Sequence, residues 1–233
     1  PDLNAFGAGF PILLKDEGGV VLEFPHLHEL LLQGQFDTVY HEHYSYFSFG
    51  TAVQVLAAHG LRCFDVESLP THGGSLRVYA CRAGAHHANT PAVEALLTHE
   101  RRAGWGTPAY TEGLQEKAEA AKYGLLKFLI AEKEAGRKVV GFGAAAKGNT
   151  FLNYAGVKPD LLAWVGDDTP FKQGRFLPQS RIPVVSADRV ALEKPQTILI
   201  LPWNFRDEIA KRLDFARAWG ARFAVAVPRL EVF

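Results

Sequence analysis

Five apolar residues at spacings of three and four, Leu3, Phe6, Phe10, Leu13 and Leu14, predict an amphipathic helix at the start of the chain. The run Gly19-Val-Val-Leu-Glu-Phe24 then predicts a buried strand. A helical stretch from Thr51 to His59 follows, with Gly60 placed to end it. Two strands are expected at Leu61–Val66 and Leu76–Cys81, joined by a turn that contains Pro70 and the Gly73-Gly74 pair. Thr90-Pro91 offers an N-cap and a proline suited to the first helical position. From 111 to 135, Leu114, Ala118, Ala121, Leu125 and Leu129 repeat at helical spacing, and Gly136 with Arg137 and Lys138 closes the pattern.

The pattern changes beyond residue 136. A strand over 138–143 leads through a small-residue loop to a helix over Thr150–Tyr154. Strand-like runs at Leu161–Val165, Thr197–Leu201 and Arg222–Val227 are separated by helical stretches such as Asp207–Arg217. Strands alternating with helices imply right-handed crossovers and a parallel sheet covered on both faces, so a small doubly wound domain is expected here. The whole reads as an α/β chain in three parts: 1–88, a helical linker over 89–135, and 136–233.

Composition narrows the function. A chain of 233 residues with 48% hydrophobic content can bury a core, which excludes disorder and fibre. Its 25 basic residues balance its 25 acidic ones, so no excess field favours nucleic acid or anionic lipid as a partner. Apolar runs such as Leu161–Val165 fall far short of the roughly 20 residues that span a bilayer, and no membrane association is expected. Two cysteines, Cys63 and Cys81, make neither a disulfide framework nor a four-cysteine zinc site, so reduced thiols and a cytoplasmic address are expected. All nine histidines lie between His26 and His99, which assigns proton chemistry near neutral pH to the earlier part of the chain.

The densest chemistry is Phe36-Asp-Thr-Val-Tyr-His-Glu-His-Tyr-Ser-Tyr-Phe47. Two histidines, a glutamate and three tyrosines within seven positions are costly to bury unpartnered, and a polar surface loop has little use for so many aromatics. A pocket lining satisfies both constraints, and an aromatic-rich loop packed against the core is the alternative. Were the stretch extended, Tyr40, Glu42 and Tyr44 would face one way and His41 and His43 the other. His26-Leu-His28 and His41-Glu-His43 also form two H-x-H pairs, but without a plainly placed carboxylate no metal site is expected.

A second cluster, Gly141-Phe-Gly-Ala-Ala-Ala-Lys-Gly-Asn-Thr150, follows a strand. Its small residues permit close approach of backbone to a phosphate, the next helix offers free N–H groups, and Lys147 can add charge. The spacing is neither that of the dinucleotide fingerprint nor that of a P-loop, and a plain strand-to-helix turn is an equal alternative. Asp167 or Asp168 lies where a ribose-binding acid is expected. Thr71-His-Gly-Gly-Ser75 and Leu201-Pro-Trp-Asn-Phe-Arg206 are lesser candidates, the second with Asn204 as a possible N-cap and Asp207 three residues on.

Glu23-Phe-Pro-His26, Phe36-Asp-Thr-Val-Tyr-His-Glu-His43, Thr71-His-Gly-Gly-Ser-Leu-Arg-Val-Tyr79 and Gly141-Phe-Gly-Ala-Ala-Ala-Lys-Gly-Asn149 together resemble the S-adenosylmethionine-dependent C-methyltransferases of nucleotide-linked deoxysugars. In that family a zinc-binding piece precedes a class I methyltransferase domain, and a Rossmann-like domain follows. The resemblance begins in the later part of the methyltransferase domain. It therefore implies a fragment with a partial methyltransferase sheet over 1–88 and the Rossmann-like domain over 136–233, without the zinc cysteines or the adenosylmethionine loop.

The implied reaction is methylation of a carbon next to a ketone of the sugar. The resemblance implies His43 as base, with Tyr40 and Glu42 positioning substrate or supporting the proton transfer, and His41 as a weaker fourth member. It places Gly143, Lys147 and Asn149 near the substrate diphosphate, with His72 as a further substrate-binding candidate. The alternatives are an NAD-dependent dehydrogenase and a non-catalytic domain that only binds nucleotide-sugar. The identity of the sugar, the methylated carbon and the oligomeric state stay open.

Overall fold

The computed structural model describes residues 2–233. It divides into two units, the chain up to Gln33 with Glu42–Gly113, and Gly34–His41 with Leu114–Phe233. Among the described residues no helix is long and apolar enough to cross a membrane.

In the first unit Asp2 starts helix α1 (Leu3–Leu13) by accepting the Asn4 and Ala5 amides at 2.9 and 3.1 Å. Strand β1 (Gly19–Pro25) and helix α2 (Leu27–Gln33) follow. Helix α3 (Phe49–Ala58) is capped by Ser48, and the Gly60 at its end takes φ +71°, as expected of a helix stop. Strands β2 (Leu61–Leu69) and β3 (Ser75–Arg82) make a hairpin, and β1 pairs with β3 on the other side, so the sheet is antiparallel in the order β1-β3-β2. Helix α4 (Pro91–Arg102) begins with proline at its first turn. Thr90 stands in the cap position, but its hydroxyl donates to Asp65 instead. Phe49, Leu56, Leu61, Val66, Leu76 and Val78 make the core of this unit. Cys63 and Cys81 are buried and unpaired, and burial pushes the Cys63 thiol up to about 12.

The second unit contains helix α5 (Leu114–Glu134), strand β4 (Val139–Phe142), helix α6 (Ala146–Ala155), strands β5 (Val165–Asp167) and β6 (Val184–Ser186), and helix α7 (Arg189–Glu193). Strand β7 (Thr197–Ile200), helix α8 (Arg206–Arg212) and strands β8 (Arg222–Val225) and β9 (Glu231–Val232) complete it. The sheet order is β6-β5-β4-β7-β8-β9, parallel except for β9. Chain order therefore reverses beside β4, with β5 on one flank and β7 on the other. Alternate residues serve opposite faces: Val139, Leu199 and Ala224 pack toward α5 and α6, while Val140, Ile198, Ile200 and Phe223 pack with Val190, Leu213 and Ala216. Both faces are covered, as the alternation of strands and helices predicts.

Several expectations need correction. The strand placed at Leu161–Val165 runs Val165–Asp167, because the Leu161 and Leu162 amides donate to Lys158 O at 3.0 and 3.1 Å and wind that stretch into a turn. Leu162 and Trp164 are buried all the same, so hydrophobicity alone could not separate turn from strand. Helix α6 begins at Ala146, four residues before the expected start, because the small residues fit tightly: a Cβ on Gly148 would lie 2.6 Å from Leu201 Cβ. Asn204 sits inside a 3-10 turn (Trp203–Phe205) and caps no helix. The expected helix Asp207–Arg217 stops at Arg212 and continues as a 3-10 stretch from Asp214.

Candidate functional site

The stretch that carries Tyr40, His41, Glu42 and His43 is irregular from 39 to 46, with a turn at His41-Glu42 and no strand, so the alternation of an extended chain does not apply. His41, Glu42 and Tyr44 are exposed, whereas Tyr40 and His43 are half-buried, and the His43 ring lies 6.2 Å from that of Tyr46. Tyr40 and His41 belong to the second unit, Glu42 and His43 to the first.

Each end of the stretch is held within its own unit. Upstream, in the second unit, Phe36 packs edge-on against Phe151 at 5.3 Å and lies 5.1 Å from Tyr154. Asp37, only 1% exposed, accepts the Trp203 indole N–H at 2.7 Å. Its Oδ1 is buried without a hydrogen-bond partner, and burial pushes its carboxyl up. Downstream, in the first unit, Phe47 O accepts the Leu27 amide at 2.9 Å, Ser48 Oγ accepts the Thr51 amide at 3.1 Å, and Glu100 binds the Phe49 and Gly50 amides at 2.7 and 2.8 Å.

Sequence patterns gave no hint of Glu100. It lies in the last turn of α4 beside two arginines, which reads as a solvated helix face, yet it is fully buried. His26 Nε2 donates to it at 2.7 Å. Burial opposes its charge, but the His26 hydrogen bond and the two amides hold the carboxyl below its ordinary range. His28, stacked on Tyr110, shares a 3.1 Å hydrogen bond with His99, and burial followed by the neighbouring histidines pulls its pKa down. The H-x-H pair 26/28 is thus engaged with Glu100 and His99. Among the described residues no group of three or more His, Cys, Asp or Glu is arranged to hold a metal ion.

The 71–75 segment opens with a 3-10 turn, Thr71–Gly73, that exposes His72, a non-glycine residue at φ +56°, and ends where Ser75 begins β3. At Gly74 φ is +124°, and a Cβ there would meet Glu29 Cβ at 2.8 Å, so the position admits only glycine. This turn rims a cavity of about 370 Å³ lined by His26, Glu29, Gln33, Leu69, Gly73 and Ser75.

In the second unit Gly143 ends β4 at φ +86°, where a Cβ would meet Pro202 Cδ at 2.6 Å. The following turn is fixed by Asp167, which accepts the Ala144 amide at 2.7 Å, the Thr169 amide at 2.8 Å and Lys172 Nζ at 3.3 Å. Desolvation works against that carboxylate, but these donors hold it below its usual range. Asp167 therefore serves the turn with both oxygens, and Asp168 is bound by both terminal nitrogens of Arg212. Beside them, at the carboxyl ends of β4 and β5, lies a cavity of about 290 Å³ lined by Gly143, Asp168, Thr169, Phe205, Glu208 and Arg212. Ligands of open α/β sheets bind in this position.

Lys147, in the first turn of α6, extends over the Trp203 ring with Nζ 4.7 Å from its centroid. Burial lowers its pKa and attraction to Asp37 raises it. Asn149 lies one turn into the same helix with a buried Oδ1 that has no hydrogen-bond partner. The sequence-predicted trio thus splits: Gly143 shapes the turn, while Lys147 joins Asp37 and Trp203, to neither of which sequence reasoning gave a role.

A family model described as the C-methyltransferase C-terminal domain matches residues 70–228. C-methyltransferase NovU of Streptomyces niveus is 37% identical over 235 residues, an alignment that covers 100% of this chain and 55% of that protein. The chain thus spans about half the length of the curated relative it matches.

Proposed function

We propose, because the chain belongs to the C-methyltransferase C-terminal domain family, that it is the substrate-handling part of an enzyme that methylates a carbon next to a ketone of a nucleotide-linked deoxysugar. The observation that carries this reading is the loop from Tyr40 to His43, rich in proton-transfer groups and fastened at both ends by buried carboxylates, Asp37 and Glu100. His43 takes the proton from the acidic carbon, the C–H electrons pass into the enolate, and Tyr40 donates a hydrogen bond to the enolate oxygen. Glu42 and His41 support that transfer. Lys147 and the turn at Gly143 serve the diphosphate, with His72 as a further contact to substrate.

The methyl group of such a reaction is supplied by S-adenosylmethionine. The described residues do not fit that molecule. Among the described residues the sheet of the first unit is antiparallel, with no glycine turn from a parallel strand into a helix. Its cavity beside α1, about 260 Å³, is lined mainly by apolar side chains such as Leu3, Phe6, Phe10, Leu22, Phe24 and Phe47, with only Glu23 and His59 as polar side chains, a poor match to a molecule with several charged groups. In the second unit Asp167 is committed to the turn and Asp168 to Arg212, which also weighs against a dehydrogenase that needs a carboxylate for ribose. The chain's own share is recognition and deprotonation of the substrate.

The test is exchange of the substrate's acidic carbon proton in heavy water, followed by NMR with the full-length protein. The parent exchanges it, His43→Asn does not, and Tyr40→Phe slows it without abolishing it. Parent-like exchange in both variants would return the loop to a structural role.

A further inference from the structure

We propose that Glu100 and His26 are a positioning pair, which holds the His43 end of the proton-transfer loop and the 71–75 turn to one point of the first unit. The inference deepens the reading above and rests on it for what the loop does.

The pair lies where three segments meet. Glu100 Oε1 accepts from Phe49 N at 2.7 Å and from His26 Nε2 at 2.7 Å, while Oε2 accepts from Gly50 N at 2.8 Å. Phe49 and Gly50 open α3, with Phe49 six residues past His43, so the carboxylate meets both the orphan amides and the positive end of that helix. The His26 amide donates to Gly74 O at 3.0 Å, two residues past His72. The next amide, Leu27, donates to Phe47 O, four residues past His43, and His26 and Phe47 form a parallel bridge. The His26 amide is thus tied to the 71–75 segment, the amide of its neighbour Leu27 to Phe47, and the His26 ring to the carboxylate that starts α3.

A helix start alone does not require this. Ser48 already caps α3 through the Thr51 amide, which is the usual and inexpensive solution. Burying an anion completely is expensive, and here the carboxylate gains only neutral or titratable partners in return. Rigid neighbours back the arrangement: a Cβ on Gly50 would lie 2.5 Å from the Trp105 ring, and Gly74 is closed in by Glu29. Displacement of the carboxylate would be passed to the loop rather than absorbed behind it.

The test uses the full-length protein with Glu100→Gln, His26→Leu and His26→Gln, the last of which keeps an N–H donor close to the position of Nε2. Two readouts are taken: the rate of substrate carbon-proton exchange, and amide hydrogen exchange by mass spectrometry over residues 42–50, with β2 and β3 as internal reference. Glu100→Gln and His26→Leu should lower the exchange kcat by about tenfold to a hundredfold with KM unchanged. They should also speed amide exchange in 42–50 but not in the strands. His26→Gln should remain close to the parent in both readouts. Parent-like behaviour of Glu100→Gln and His26→Leu overturns the proposal, as does amide exchange that rises equally through β2 and β3, which is the mark of a merely structural core. Loss of activity in His26→Gln with undisturbed amides also overturns it, because His26 would then be a chemical participant. If the parent itself fails to exchange the carbon proton, the functional reading falls, and the amide data alone decide whether the pair holds the loop.

Discussion

Each unit buries one glutamate, and the two are held in different ways. Glu100 in the first unit has an imidazole and two backbone amides. Glu132 in the second accepts from the Arg137 guanidinium at 3.0 and 2.7 Å, from Arg222 at 2.6 Å and from the Thr197 hydroxyl at 3.2 Å. Thr197 opens β7 and Arg222 opens β8, so Glu132 fastens α5 to the amino-terminal ends of those strands. The glycine turn and its cavity lie at the carboxyl-terminal ends, on the far side of the sheet. Permanent charges thus secure the scaffold, and neutral or titratable partners secure the segment next to the proposed chemistry.

The comparison can be broken by deletion. Glu100→Leu strands three buried donors that cannot reach water and should cost about 3–5 kcal/mol, read as lost urea stability and lost amide protection in the first unit. Glu132→Leu should cost less, about 1.5–3 kcal/mol, because Arg137 and Arg222 are each 43% exposed and can be rehydrated. Equal costs would mean that the two carboxylates do not differ in kind. Gly148→Ala should cost about 1–3 kcal/mol through overlap with Leu201 and leave amide protection in the first unit intact.

Acid sharpens the same contrast with a smaller effect. The Arg137 hydrogen bond, followed by Arg222, holds the Glu132 carboxyl down at about 2 against an ordinary value of 4.5. A lowered folded pKa gives stability that is complete above 4.5 and is lost as pH falls toward about 2. Glu132→Gln should therefore flatten the fall in stability across that window relative to the parent. Parallel acid curves for the two proteins would show that the arginines contribute nothing to it.

Much of the scaffold was legible because its signals are local. Helix stops at Gly60 and Gly136, proline at the start of α4 and the strands flanking the 70–74 turn follow from side-chain and backbone chemistry within a few residues. The run at Leu161 misled because burial is common to turns and strands, and β6 was missed because it is only three residues long and follows a proline. In the candidate site, the sequence exposed the cluster from Tyr40 to His43 but not what holds it. Glu100 and Asp37 become informative only when 51 residues of chain bring Glu100 to Phe49, and 166 bring Trp203 to Asp37. Lys147 was legible as a charge at a helix start, but its place against Trp203 and Asp37 was not.

The proposed division of labour puts proton transfer in the 40–43 loop and diphosphate recognition at the start of α6. One crossed measurement tests it: thymidine diphosphate affinity by calorimetry and carbon-proton exchange at saturating substrate, both on full-length His43→Asn and Lys147→Met, the latter keeping its stem against Trp203. His43→Asn should lose exchange and keep parent affinity. Lys147→Met should keep exchange and lose about 1.5–3 kcal/mol of affinity, the worth of one charge-assisted contact. Parent affinity in Lys147→Met, or loss of both properties in either variant, would contradict the account.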